Sequence, residues 1–408
     1  MAKSLRLLAV LGAVLFTVGA FSVGAFGAQK RLVLWADPLE AHIIADICKG
    51  FATKTGIDVE VIGISRLAQK GKITLDGPAG KGPDVFTTPH DQLGPMAIAG
   101  LVEPITATEE VKKSFVPVTI DAVSYKGKMY GLPYAFETVA LFYNKDFYPT
   151  VPESIEEFLK LVREKTKGGK YGFLFDLTNV YFDWAFFSGH GAYVFKSGPD
   201  GLDVNDIGLG TEGAAAALNF LKELRTSGLI PEGTDYSVAN SLFIEGKAGA
   251  VVNGLWALDE YRKQKVNYGM ALIPKMPGGR ISRPFVTVQA YWVSAFSKNK
   301  KEAQELIRYL TTKESLLALF KGREAMVPPR TDVLGLPEVK ANNDAQVMAA
   351  QATIGIPMPN VPEMAAVWQP FTDAVITTLK GQSDAREALE MAVEMIKEGI
   401  AEMRKKAK

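Results

Sequence analysis

Two carboxylates and three aromatic clusters are the groups in this chain whose types suggest a chemistry. Asp91 directly follows His90, and Glu137 stands alone within a long apolar and aromatic run, residues 132–143. Two carboxylates flanking a sugar linkage can work as acid and nucleophile or base, and their separation in space decides the reaction. The same groups can instead accept hydrogen bonds from sugar hydroxyls without breaking any bond. The aromatic clusters are Tyr181, Phe182 and Trp184 with Phe186 and Phe187, then Trp256 just after Asn253-Gly254, then Trp368 just before Pro370. A pyranose ring has an apolar C–H face and a rim of hydroxyls, so flat rings beside carboxylates and amides are suited to hold it. Trp35, set among aliphatics, reads as core, and so do Phe186 and Phe187. Trp256 and Trp368 stand beside turns, where stacking on a ligand and packing in a core are equally open.

Other chemistries find little footing. The run Gly77-Pro78-Ala79-Gly80-Lys81-Gly82-Pro83 has a phosphate-loop look, but such a loop needs Ser or Thr after the Lys and a helix starting there. Here Gly82-Pro83 and a strand follow, so the segment reads as a surface loop. His42, His90 and His190 are scattered without metal-ligand spacing, and no HExxH or GxSxG pattern occurs. No metal and no cofactor are expected. Cys48 is the only cysteine, which excludes an internal disulfide, and its aliphatic setting marks it as a small core residue.

The elements that must carry these groups alternate. Residues 31–35 and 57–62 read as strands, separated by a helix near residues 39–55 with Ile43, Ile44, Ile47 and Phe51 at helical spacing and Gly56 as its stop. Strand, helix, strand implies parallel pairing, and residues 84–88 add a third strand. Ser154 with Glu157 forms a capping box for one helix, Thr211 opens an Ala-rich one, and Asp384 opens the last. Residues 125–130 alternate around Lys126-Gly127 as a hairpin should. The chain then runs extended through Pro133 to Tyr143, a path long enough to cross between two domains with Glu137 midway. No internal repeat and no low-complexity linker interrupts the pattern.

A chain of 408 residues exceeds what one core organises, so two domains are expected. With 46 basic against 45 acidic residues there is no charge excess to attract nucleic acid. Residues 1–27 carry Lys3 and Arg6, then an uncharged stretch from residue 7 to 26 ending in Ala25-Phe26-Gly27, the layout of a cleaved signal peptide, with a retained anchor as the alternative. An extracytoplasmic or periplasmic location follows from that reading.

Over nearly the whole mature chain the sequence resembles the solute-binding proteins of carbohydrate ABC importers, the maltose- and maltodextrin-binding group in particular. The pieces that carry the likeness are Thr55-Gly-Ile-Asp58, Gly82-Pro-Asp84, His90-Asp91, Tyr143-Asn-Lys-Asp146, Thr234-Asp-Tyr-Ser237, Val266-Asn-Tyr-Gly269 and Met358-Pro-Asn360, in order and in spacing. The resemblance implies an α/β protein of two lobes with a ligand cleft between them, closing by a hinge. It implies one lobe from residues 28–134 and 290–334 and a second from residues 135–289 and 335–408. It further implies that Asp91 and Glu137 accept sugar hydroxyls, that Tyr181, Trp256 and Trp368 are stacking platforms, and that Met358 touches the ligand. Where the group has an Asp-Lys pair this chain has Leu39-Glu40; Thr88 replaces a tryptophan, Gln92 an arginine, Asn179 a glutamate and Thr372 an arginine. Glu40, Gln92 and Asn179 are thus the expected site positions with altered chemistry. The aromatic half of the site is kept while much of the charged half is neutral, which favours a longer α-glucan such as maltotriose. An exported glycosidase using Glu137 and Asp91, a binder of another oligosaccharide, and a binder of a peptide or polyamine are the alternatives. The implied partners are an oligosaccharide and a membrane-embedded ABC permease, with the protein itself a monomer.

Overall fold

The computed structural model describes residues 30–198 and 201–406; the segment read as a signal peptide lies outside them. Strand Arg31–Ala36, helix Ala41–Thr55 and strand Asp58–Gly63 form the expected parallel unit, and strand Val85–Pro89 pairs parallel on the other side of the first strand. The helix buries Ile44, Cys48 and Phe51 and ends at Gly56, whose φ of 72° closes it in the left-handed region. Burial pushes the Cys48 thiol up to about 12, so it stays protonated as a core side chain.

The sheet is completed by chain arriving from far away in sequence. Strand Phe285–Val293 pairs antiparallel with Val85–Pro89 on one side and with Gly131–Glu137 on the other, and parallel with the short strand Ile356–Pro357. Every residue of Phe285–Val293 is buried. A bulge between Gln289 and Ala290 breaks its ladder with Gly131–Glu137.

A second, three-stranded antiparallel sheet has Ala140–Asn144 at its centre, flanked by Ala250–Asn253 and Tyr268–Ala271. The chain leaves the large sheet after Glu137 and enters the small one at Ala140, so residues 138–139 are the crossing. Thr138 is buried there and donates its hydroxyl to the Phe285 carbonyl at 2.6 Å. The sequence reads residues 133–143 as one extended path; the break into two strands comes from this change of sheet. Helices Val180–Gly189, Glu212–Thr226, Trp368–Leu379 and Ala385–Lys406 pack together, and Val180–Gly189 also meets strand Phe285–Val293. The hairpin read at residues 125–130 forms between Ser124–Tyr125 and Lys128–Met129, with Lys126 at φ 48° and Gly127 at φ 72°, the two left-handed positions of a type I′ turn.

Candidate binding site

The crossing is where the polar groups gather. Glu137, the last residue of its strand, lies opposite Thr287 in the register, and its Oε1 accepts from Gln289 Nε2 at 2.8 Å. Thr287 and Gln289 are two apart on one strand, so they share a face. That face, with Glu137, looks into a cavity of about 530 Å³ whose wall also includes Asp91, Tyr181, Trp256, Met358 and Trp368.

One side of the cavity is aromatic and is braced from behind. Asn179 caps helix Val180–Gly189 by accepting from the Tyr181 N–H at 3.1 Å, which sets Tyr181 in the first turn. The Tyr181 hydroxyl reaches Thr287 Oγ1 at 3.1 Å, and burial together with the Glu137 charge raises its pKa. Phe285, buried at the start of the long strand, stacks parallel on Trp184 with centroids 4.5 Å apart and lies 6.3 Å from Tyr181 and 6.0 Å from Trp368. Trp256 stands 6.4 Å from Tyr181 at the end of strand Ala250–Asn253. Its indole folds back over Gly254, where an added Cβ would come within 2.1 Å of the ring, so the Asn-Gly pair is a steric requirement of that pose. Asn253 holds the turn by accepting from the Gly254 N–H while donating to Tyr261 and Asn240.

The opposite wall is charged. Asp37 accepts from the backbone N–H of Arg66 at 3.2 Å and from its Nε at 3.3 Å, and Glu40 accepts from Arg66 Nη2 at 3.3 Å. Burial alone would raise the Asp37 carboxyl, but Arg66 holds it below its ordinary value. Glu40 is the reverse case. Its burial outweighs Arg66 and the Tyr134 hydroxyl donated at 2.6 Å, and its pKa is raised. Burial would likewise lower the Arg66 guanidinium, yet Tyr134, Glu40, Glu137 and Asp37 around it raise its pKa.

His90 ties this site together from beneath. Fully buried, it accepts the Val288 N–H on Nδ1 at 3.0 Å, so Nε2 carries the proton and donates to the Met358 carbonyl at 2.9 Å. Burial lowers its pKa, in keeping with this neutral tautomer. One imidazole thus fixes the neighbouring Asp91, the middle of the long strand and the Met358 loop.

Six of the expected positions, Asp91, Glu137, Tyr181, Trp256, Met358 and Trp368, come together on the cavity wall. Three do not line it, and each for a stated reason. Glu40 has no exposed surface, because it is drawn under the wall by Arg66 and Tyr134, leaving Asp37 and Leu39 to face the cavity. Gln92 turns to Asp91, donating to Oδ2 at 2.6 Å, and Asn179 is an exposed helix cap. Asp37, Arg66, Arg323 and the pair Thr287 and Gln289 line the cavity without having been singled out in the sequence. The polar residues at alternate positions in the apolar strand Phe285–Val293 were the one available signal; the others carry no motif. Among the described residues no cluster of three His, Cys, Asp or Glu could hold a metal, and no helix is long and apolar enough to cross a membrane.

Residues 46–349 match the family described as bacterial extracellular solute-binding protein. The chain is 32% identical over 375 residues to the galactooligosaccharide-binding protein of Bacillus subtilis (strain 168), covering 90% of this chain and 89% of that one. It is 29% identical over 384 residues to the maltodextrin-binding protein MdxE of the same organism, covering 92% and 91%. A solved cyclo/maltodextrin-binding protein complexed with maltotetraose superposes with a TM-score of 0.86 at 38% identity, covering 92% of this chain and 98% of that one.

Proposed function

The chain belongs to the bacterial extracellular solute-binding proteins, and from that premise we propose that it captures malto-oligosaccharides such as maltotriose outside the cytoplasm and delivers them to an ABC permease. The observation that carries this reading is the cavity itself. Braced aromatic faces stand on one side, a carboxylate at the sheet crossing lies between, and a charged wall closes the other side. Tyr181, Trp256 and Trp368 stack on sugar faces, while Glu137, Asp91 and Gln289 take hydroxyl hydrogen bonds. Two sheets joined at residues 138–139 give two lobes that close on the ligand by bending there and at the return into Phe285–Val293.

The protein is an exported monomeric carrier, not an enzyme, released by cleavage near residue 27. Isothermal titration with maltose, maltotriose, maltotetraose, cellobiose and a galacto-oligosaccharide tests the reading. Tight binding of the α-glucans is expected; binding of the galacto-oligosaccharide alone would replace the ligand, and no heat with any sugar would remove the function. Maltotriose incubated with the protein should be recovered intact, since glucose released at catalytic rates would make it a glycosidase.

A further inference from the structure

Among the described residues Arg323 is a cation of the cleft whose guanidinium makes no hydrogen bond. It follows helix Lys313–Gly322, which packs on Ala41–Thr55 beneath the large sheet, and its backbone N–H closes that helix on the Leu319 carbonyl at 2.9 Å. Its guanidinium lines the cavity and is only 9% exposed. Glu40 Oε2 and Asp259 Oδ2 each stand 3.9 Å away, an ion-pair distance too long for a hydrogen bond. Both Glu40 oxygens are already engaged, Oε1 by Tyr134 and Oε2 by Arg66. Among the described residues the guanidinium therefore has no hydrogen-bond acceptor, although it carries five N–H donors at a nearly buried site.

Its position is well held. The Val327 carbonyl accepts from the Phe136 N–H at 3.1 Å, which sets residues 323–327 beside Glu137, and Glu324 pairs with Arg262 at 2.7 Å. Arg262 and Asp259 lie on helix Leu258–Lys263, between two strands of the small sheet, so the loop is bound to the element that follows Trp256. A planar fork of donors held in this way, facing a cavity and lacking acceptors, matches a pair of neighbouring hydroxyls.

We infer that Arg323 is a further ligand-positioning residue, donating two hydrogen bonds to adjacent hydroxyls of one sugar ring opposite the Trp256 face. The inference rests on the sugar-binding reading above.

The test compares the parent protein with Arg323→Gln and Arg323→Lys by calorimetric titration of maltotriose and maltotetraose, and by urea unfolding of the sugar-free proteins. Arg323→Gln should weaken binding roughly tenfold to a hundredfold, the range for hydrogen bonds from a charged donor. Arg323→Lys should recover part of this, because it keeps the charge and loses the fork. The unfolding midpoints of both variants should match the parent. Affinities within twofold of the parent would overturn the inference, as would a loss that Lys does not relieve and that tracks a lowered midpoint. A parent that binds no sugar would remove the proposed function instead, so the two failures are distinct.

Discussion

Phe285→Ala is the substitution that tests whether the aromatic side of the cleft is a braced surface or three independent rings. Phe285 is buried; it stacks on Trp184 at 4.5 Å with planes 3° apart and supports Tyr181 and Trp368 at 6.3 and 6.0 Å. Removing a buried phenyl costs about 3–5 kcal/mol from lost transfer energy plus the hole it leaves. The parallel Trp184 contact alone accounts for about 0.5–1.5 kcal/mol of aromatic pairing beyond area burial. Because the hole opens directly behind Tyr181 and Trp368, both platforms gain room to tilt, and maltotriose affinity should fall about tenfold, or about 1.4 kcal/mol. Phe285→Leu refills most of the volume and should cost under about 2 kcal/mol. Urea unfolding followed by tryptophan fluorescence reads the first quantity and calorimetric titration the second. An Ala variant within about 1 kcal/mol of the parent would refute the packing argument. A strongly destabilised variant that binds with parental affinity would refute the link between brace and platform.

Other outcomes follow from single groups. Trp256→Ala should weaken maltotriose binding by about 1–3 kcal/mol, the scale of one stacked ring, and parental affinity in titration would remove Trp256 from the site. Asp183 is fully buried, among the described residues neither of its carboxylate oxygens has a hydrogen-bond partner, and burial, then the nearby Asp176, raises its pKa well above the ordinary value of 3.8. Its native form holds the proton longer than the unfolded form, so stability is full below pH 3.8 and is lost as pH rises through the raised value. Asp183→Leu, of similar shape, should therefore be about 1–3 kcal/mol more stable than the parent at pH 8, with a smaller gain at pH 4; a variant less stable at pH 8 contradicts this. His90 runs the other way. Its pKa is lowered from 6.5, so the unfolded chain takes up the proton first and stability falls as pH drops below 6.5, with a slope of at most about 1.4 kcal/mol per pH unit. His90→Gln can remake both hydrogen bonds without titrating and should lack that slope; an unchanged slope would assign it to other groups.

Much of the architecture is legible because its signals are local. The strand–helix–strand unit of residues 31–63, the Lys126-Gly127 turn and the Ser154 cap depend on periodicity, left-handed glycine and a hydroxyl beside free N–H groups, and each forms where those rules place it. The aromatic members of the site are half legible: the turn signals beside Trp256 and Trp368 leave stacking and core packing equally open, and the fold sets Trp256 in the short helical turn Leu255–Ala257 and Trp368 at the first residue of helix Trp368–Leu379. The charged members are harder to read. Glu40 and Leu39 differ by one residue, yet one is sealed under Tyr134 and the other is exposed at the cavity edge, because the bend before helix Ala41–Thr55 rather than the residue type sets the direction.

What the sequence determines by itself is which segments bury apolar faces and which rings and carboxylates stand at their ends. What only the tertiary structure decides is the company these groups keep. Arg66 and Arg323 are distant in sequence from Glu137 and carry no spacing that announces them, and Gln289 shows only as a polar residue two after Thr287 in an otherwise apolar strand. They become one site because the antiparallel return of Phe285–Val293 and the Phe136–Val327 bridge bring their segments against the crossing. Contacts of that kind follow from how sheets close and helices pack over the whole chain, and pairwise pattern along the sequence does not contain them.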